Sequence, residues 1–412
     1  MKFKPMVVSL LETDLYKFNM CQVMFHKHTN LVGEYVFKCR NANVRFTQEM
    51  TDEISEQINA LCKLRFTDEE LAYLRTIRFL KPDYIEFLRL WRPIKDYVSL
   101  KRNDDGTLDL RVKGPLFAAM QFEIYLLEIV NETYFRMAGD VQGSATPHYE
   151  ALVAEARDIL NGKIEAFNSG KYTFKFAEFG CRRRLSGEWE DEVVRRLTAE
   201  THNCVGTSNV YLAMKYHLTP VGTYAHEFVQ MYQGIEDIPL AMTNKFALAE
   251  WFEEYQGDNG TALTDTITTD CFLLDFNKLQ ATMYTGVRHD SGDPYEWGEK
   301  MIAHYESLGI DPKTKTLLFS DSLTCDKAQA LYKHFSGRTK VAFGIGTHFS
   351  NDTGHEALNI VIKLQYVNGR PVAKLSDCFG KTMCQDDSYV AYLREAVARR
   401  VADAKAEKEA RR

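Results

Sequence analysis

Between residues 172 and 347 the chain repeats one pattern about seven times: an extended run, a turn of small polar residues, then a helix or loop. The runs fall at residues 172–180, 202–209, 219–226, 261–266, 281–287, 316–322 and 340–347. Strands alternating with helices at this spacing lie parallel, and so many of them favour a closed α/β barrel. Barrels of this kind bind ligands at the carboxyl ends of their strands. Arg182, Ser208, His226, Asp265, Arg288, Asp290, Asp321 and Thr347 fall at those ends. Helix capping accounts for serine, threonine or aspartate there, but not for Arg182, His226 or Arg288.

The flanking segments have a different rhythm. Residues 9–25 read as a helix capped by Thr13 or Asp14, with Tyr16 off its apolar stripe. A strand at 33–40 and a hairpin of 97–101 with 107–113 around Asp105-Gly106 are set among helices. After the repeats, 358–367 and 370–375 flank Asn368-Gly369, a strong hairpin signal. These late strands are expected to rejoin the early ones. The predicted organisation is an N-terminal α+β domain (1–145), an α/β barrel carrying the active site (146–355), and C-terminal strands and helix (356–412) that complete the first domain. The tail from residue 388 reads as a charged, solvated helix.

A chain of 412 residues, 45% apolar and 26% charged, can bury a sizeable core. Its net charge of −6, without a basic stripe, argues against nucleic acid as a partner. The best apolar run, 117–130, is broken by Gln121, Glu123 and Glu128, which argues against a membrane span. Nine scattered cysteines without a C-x-x-C pair suit reduced thiols in a cytoplasmic protein.

Two junctions carry local chemistry. Gly286 to Pro294 follows the 281–287 run and enters a helix with Asp293 as cap, Pro294 at its first position and Glu296 completing a capping box. Arg288, Asp290 and the free N–H groups there suit a sugar phosphate, its hydroxyls and a metal ion. Gly344, Gly346 and Thr347 form a glycine-rich turn that, with Ser320 and Asp321 on the preceding unit, reads as a phosphate cradle. It is neither a Walker A loop nor a dinucleotide fingerprint. His226, at a strand-to-helix change, reads as a cap or packed residue, or beside phosphates as nucleophile or base.

Six motifs in order then acquire a shared meaning: residues 11–17 (LETDLYK), 178–184 (EFGCRRR), 206–209 (GTSN), 222–227 (GTYAHE), 288–294 (RHDSGDP) and 343–347 (FGIGT). Together they resemble the bacterial-type nicotinate phosphoribosyltransferase family, from about residue 9 to residue 386. The resemblance implies a type II phosphoribosyltransferase fold, an irregular α/β barrel beside an α+β domain built from both chain ends. It implies an ATP-hydrolysing, ligase-type enzyme of NAD salvage. Nicotinate and 5-phosphoribosyl 1-diphosphate would give nicotinate mononucleotide and diphosphate, with ATP as co-substrate and Mg²⁺ on the diphosphate. It implies Tyr16 and Phe179 sandwiching the pyridine ring, Tyr16 either within the chain or across a homodimer interface. Arg288 and Arg182 are the implied cations for the carboxylate or phosphate, and Ser208 and Thr223 the pocket lining. Asp265 and Asp290 would meet ribose hydroxyls or the metal, and Gly344, Gly346 and Thr347 the 5′-phosphate. His226 matches the histidine that the family phosphorylates. Nicotinamide-using relatives carry an acid where Ser208 stands, so serine favours nicotinate. Cys181 and Tyr224 depart from the motifs without removing a required group. A nicotinamide enzyme and a non-catalytic sensor of the same fold are the competing expectations.

Overall fold

The structure is a computed structural model, described for residues 3–378, 382 and 384–410. Eleven strands are described: β1 (Val32–Cys39), β2 (Val98–Arg102), β3 (Leu108–Pro115), β4 (Phe176–Glu178), β5 (Cys204–Thr207), β6 (Thr261–Leu263), β7 (Gly286–His289), β8 (Thr316–Phe319), β9 (Lys340–Ile345), β10 (Ile360–Val367) and β11 (Arg370–Pro371). They form two sheets, one antiparallel in the order β11-β10-β1-β3-β2 and one parallel in the order β5-β4-β9-β8-β7-β6.

The antiparallel sheet joins the two chain ends. β10 pairs with β1 from Gly33↔Val367 to Cys39↔Ile360, while β3 covers the other edge of β1. Both predicted hairpins form. Asn368 (φ 51°) and Gly369 (φ 76°) are both left-handed, as the tightest hairpin turn requires.

Among the described residues the parallel sheet is irregular, its ladder running from β5 to β6 without closing on itself. The predicted strand at 219–226 does not form. Pro220 has no N–H to give a ladder, and Gly222 sits at φ 152°. This segment still touches both sheet edges: Val221 N–H donates to Thr207 O (2.9 Å), and the Thr223 hydroxyl donates to Thr261 O (2.9 Å). The predicted run at 281–287 also divides. Asn277 caps the N–H groups of Leu279 and Gln280 to start a helix, Lys278–Met283, and only Gly286–His289 is strand. The first helix begins at Leu15, directly after Asp14, one of the two expected caps, whose side chain makes no cap bond; residues 9–13 lead into it without being helical. The Pro294–Ser307 helix starts as expected at Pro294. Asp293 accepts from the N–H groups of both Tyr295 and Glu296, in place of a reciprocal capping box.

The last helix, Asp387–Ala410, is docked and not simply solvated. Leu393 and Val397 are buried against Ile267, Cys271, Ala373 and Leu375, and Arg400 pairs with Asp275 at 2.6 Å. Its final turns are exposed. No described helix is long and apolar enough to cross a membrane.

Candidate active site

The carboxyl ends of β6, β7 and β8 converge with the start of the short His226–Gln230 helix. His226 Nε2 lies 2.8 Å from Asp265 Oδ1 and 3.5 Å from Asp290 Oδ2. Arg288 donates from Nη2 to Asp290 Oδ1 (3.1 Å) and from Nε to the Ser320 hydroxyl (2.8 Å). Ser320 in turn donates to His289 O (3.1 Å), so its hydroxyl fixes the guanidinium. Asp265 also accepts from Ser291 at 2.5 Å. Lys374 completes the cluster, with Nζ 2.9 Å from Asp265 Oδ2 and 3.2 Å from Asp290 Oδ2.

Burial and the Lys374 charge push the His226 imidazole down to about 4, so it is neutral at physiological pH. Burial opposes charge on Asp265, but the hydrogen bond from His226, the Lys374 ammonium and the Ser291 hydroxyl outweigh it and hold the carboxyl well below its usual range. Asp290 is likewise held low against burial, by Lys374 and Arg288. The result is two carboxylates beside a neutral imidazole.

A second group forms where β4 and β5 end against the first helix. Leu15 N–H donates to Ser208 O (2.9 Å), and Ser208 N–H to Glu178 O (2.9 Å). Asp14, Tyr16 and Arg182 of the same chain lie close enough to perturb one another electrostatically. Tyr16 and Phe179 are both half-buried, and among the described residues they make no ring contact with each other. The Phe179 ring fills the place of a side chain on Gly344, where a Cβ would lie 2.3 Å from Phe179 Cδ2. A Cβ on Gly346 would lie 2.9 Å from the Phe179 carbonyl oxygen. Both glycines therefore allow the ends of β4 and β9 to approach closely. Thr347 opens the adjoining Thr347–Ser350 turn of helix.

Cations crowd the space between the groups. Burial and the Arg182 and Arg40 charges push Arg183 down to about 9. Burial, aided by Arg182 and Lys374, pushes Lys363 to about 8 against the pull of Glu123. Cations that disfavour one another in a partly buried site are suited to an anionic ligand.

Of the residues singled out from sequence, His226, Asp265, Arg288, Asp290 and Ser320 are brought together. Tyr16, Arg182 and Ser208 form the second group, with Phe179 at the adjoining end of β4. Thr223 spends its hydroxyl on the link to β6. Asp321 follows β8 and accepts from Ser322 (3.1 Å). Lys374 and Asp14 join the two groups without a local sequence signal that marks them. Lys374 lies in the extended stretch after the Asn368-Gly369 turn, where a lone lysine reads as solvent-facing. Asp14 read as a helix cap.

Fold and site define an α/β enzyme whose charged side chains gather at the carboxyl ends of its parallel strands. The chain belongs to the nicotinate phosphoribosyltransferase (NAPRTase) family, whose model matches residues 174–399, with the family's N-terminal domain matching residues 11–131. It is similar to the nicotinate phosphoribosyltransferases of Chromobacterium violaceum and Herminiimonas arsenicoxydans, 47% identical to each, over 96% and 95% of this chain and 98% of each relative. Among solved structures it is similar to the nicotinate phosphoribosyltransferase from Porphyromonas gingivalis (TM-score 0.86, 35% identity, 95% of this chain and 100% of that one). The enzyme from Vibrio cholerae is similarly close (TM-score 0.87, 34% identity, 95% of this chain and 94% of that one).

Proposed function

We propose that this enzyme joins nicotinate to 5-phosphoribosyl 1-diphosphate, giving nicotinate mononucleotide and diphosphate in NAD salvage, with ATP as co-substrate. The observation that carries the reading is the His226–Asp265–Lys374–Asp290–Arg288 cluster beside the Tyr16–Arg182–Ser208 group. The pyridine nitrogen's lone pair forms the bond to the anomeric carbon, and the C–O bond to diphosphate breaks with its electron pair. Such a reaction needs alignment and charge stabilisation more than proton transfer.

Tyr16 and Phe179 bracket the ring in this reading, and Arg182 faces its carboxylate. Ser208 and Thr223 line the pocket. Arg288 and Lys374 hold the phosphate-bearing part of the substrate, with Ser320 and Asp321 beside them, and Gly344, Gly346 and Thr347 border the 5′-phosphate. Asp265 and Asp290 suit an oxygen-seeking cation, and MgII would be held by one or both together with substrate oxygens; His226 nitrogen is a poor donor for it. Bound there, Mg²⁺ would supply positive charge opposite the departing diphosphate.

With Nε2–H donating to Asp265, His226 Nδ1 carries the lone pair that attacks the terminal phosphoryl group of ATP, and ADP departs. Water later hydrolyses the phosphohistidine. We infer a cytoplasmic location, in keeping with free thiols at all nine cysteines.

The test is turnover of nicotinate or nicotinamide with phosphoribosyl diphosphate and Mg²⁺, with and without ATP, in wild type and His226→Ala. The expected result is nicotinate mononucleotide, stimulated by ATP only when His226 is present. Binding without product would favour a sensor, and product from nicotinamide alone would overturn the choice of base.

A further inference from the structure

The first helix is fastened to the segment that carries His226. Asn19 Nδ2 donates to the carbonyls of Gly222 (2.9 Å) and Thr223 (3.2 Å), and Ala225 N–H donates to Met20 Sδ (3.3 Å). Between these contacts and the core lies Lys17, with a side chain 0% exposed. Its ammonium pairs with Glu123 at 2.6 Å and with Glu227, and lies 5.6 Å from the centroid of the Tyr16 ring. Glu227 directly follows His226 and also accepts from the Tyr35 hydroxyl at 2.6 Å. Lys363 approaches the other oxygen of Glu123 at 3.8 Å. One buried ammonium thus meets both an aromatic ring of the base pocket and the carboxylate beside the phosphate acceptor. Desolvating a lysine this fully is costly, and its Coulombic gain often does no more than offset that cost. Stability alone is therefore a weak reason for a charge here.

We propose that Lys17 is a positioning residue that couples the phosphorylation state of His226, through Glu227, to the hold of Tyr16 on the pyridine ring. The inference rests on the ATP-coupled reading above. A phosphoryl group on His226 adds about −1.5 to −2 charges one residue from Glu227. Glu227 shares Lys17 with Glu123 and with the Tyr16 ring, so displacing the ammonium alters the charge that the ring face meets. The coupling is reciprocal: nicotinate changes the phosphorylation equilibrium by the factor that phosphorylation changes nicotinate binding.

Glu227→Gln cuts the link and leaves Lys17 paired with Glu123. Lys17→Arg keeps a charge but replaces a compact ammonium by a planar fork that does not fit the same three neighbours. For wild type and both variants, nicotinate KM is measured with and without ATP. Acid-labile label on His226, from ATP carrying it in the terminal phosphate, is counted in parallel. In wild type ATP is expected to change KM by about 5- to 150-fold, the usual span of coupling between sites. In Glu227→Gln that ratio should fall to within about twofold of unity, and in Lys17→Arg it should shrink at least about threefold, with His226 still labelled. Labelled variants that both keep the wild-type ratio would overturn the coupling alone. Wild type without label or ATP effect would remove the ATP-coupled reading, and this proposal with it.

Discussion

His226 and Asp265 share one hydrogen bond, 2.8 Å from Nε2 to Oδ1, and that bond assigns the ring nitrogens their tasks. The neutral imidazole has one N–H and one lone pair. An ionised Asp265 accepts the N–H at Nε2, which directs the lone pair to Nδ1. Lys374 and Ser291 occupy the other Asp265 oxygen, so the carboxylate is held at both ends.

Asp265→Asn tests this arrangement. An amide presents either N–H₂ or a weaker acceptor to Nε2, and loses the charge that pairs with Lys374. Labelling of His226 by ATP should slow by about 10²- to 10⁴-fold, the range of a positioned acid–base partner. Retained labelling at wild-type rate would show that Asp265 does not set the tautomer. Circular dichroism would establish that the variant is folded.

The low His226 value predicts a pH profile. The ring attacks only when neutral, so labelling should decline as pH falls through about 4, below the ordinary histidine value of 6.5. Burial is the larger cause and Lys374 the next. Lys374→Met removes the second, so its acidic limb should move upward toward 6.5. A limb that stays in place would mean that burial alone sets it. Rates of label incorporation between pH 3.5 and 8, taken over times short enough to avoid denaturation, give the answer.

Much of this site could be read before its geometry was known, because strand ends in a parallel sheet collect polar residues for a topological reason. Arg288, Asp290 and His226 stood out since neither capping nor core packing accounts for them. Lys374 did not, because its place depends on the β10–β11 hairpin returning to the antiparallel sheet and the chain after it crossing to the barrel mouth. The third run, 219–226, reads as a strand, but Pro220 and Gly222 limit it to a single bridge with β5. The helix at Lys278–Met283 is not legible from its pattern because a short half-apolar run suits either state, and Asn277 as its cap decides between them. The docking of the last helix rests on two buried apolar residues, Leu393 and Val397, in a segment otherwise dominated by charge.

Gly344→Ala probes the glycine-rich turn. The added methyl would lie 2.3 Å from the Phe179 ring, and the ring must move. Overpacking of this kind costs about 1–3 kcal/mol of stability. Since Phe179 is one face of the proposed base pocket, nicotinate KM should rise about tenfold, equivalent to about 1.4 kcal/mol, with a smaller change in kcat. Thermal melting and steady-state kinetics measure the two effects separately. An unchanged KM in a destabilised variant would confine Phe179 to packing.

Arg184→Met tests the buried support behind the pocket. Arg184 is 1% exposed and pairs with Glu12 (2.8 Å), Glu190 (3.1 Å) and Glu128 (3.5 Å). Glu190 in turn accepts from Asn209 (3.1 Å), next to Ser208. Removing the cation leaves buried carboxylates without a counter-charge, which costs about 3–5 kcal/mol. The loss should depend on pH. Burial already pushes Glu190 up from 4.5 to about 7 against the pull of Arg184. A raised folded-state value favours the folded chain below 4.5, and that contribution fades as pH rises through about 7. Without Arg184 the carboxyls hold protons still more tightly, and stability should fall more steeply from pH 5 to pH 8 than in wild type. Urea unfolding at the two pH values therefore gives a gap between the proteins that widens at pH 8. A gap of equal size at both would mean that lost packing, not unpaired charge, destabilises the variant.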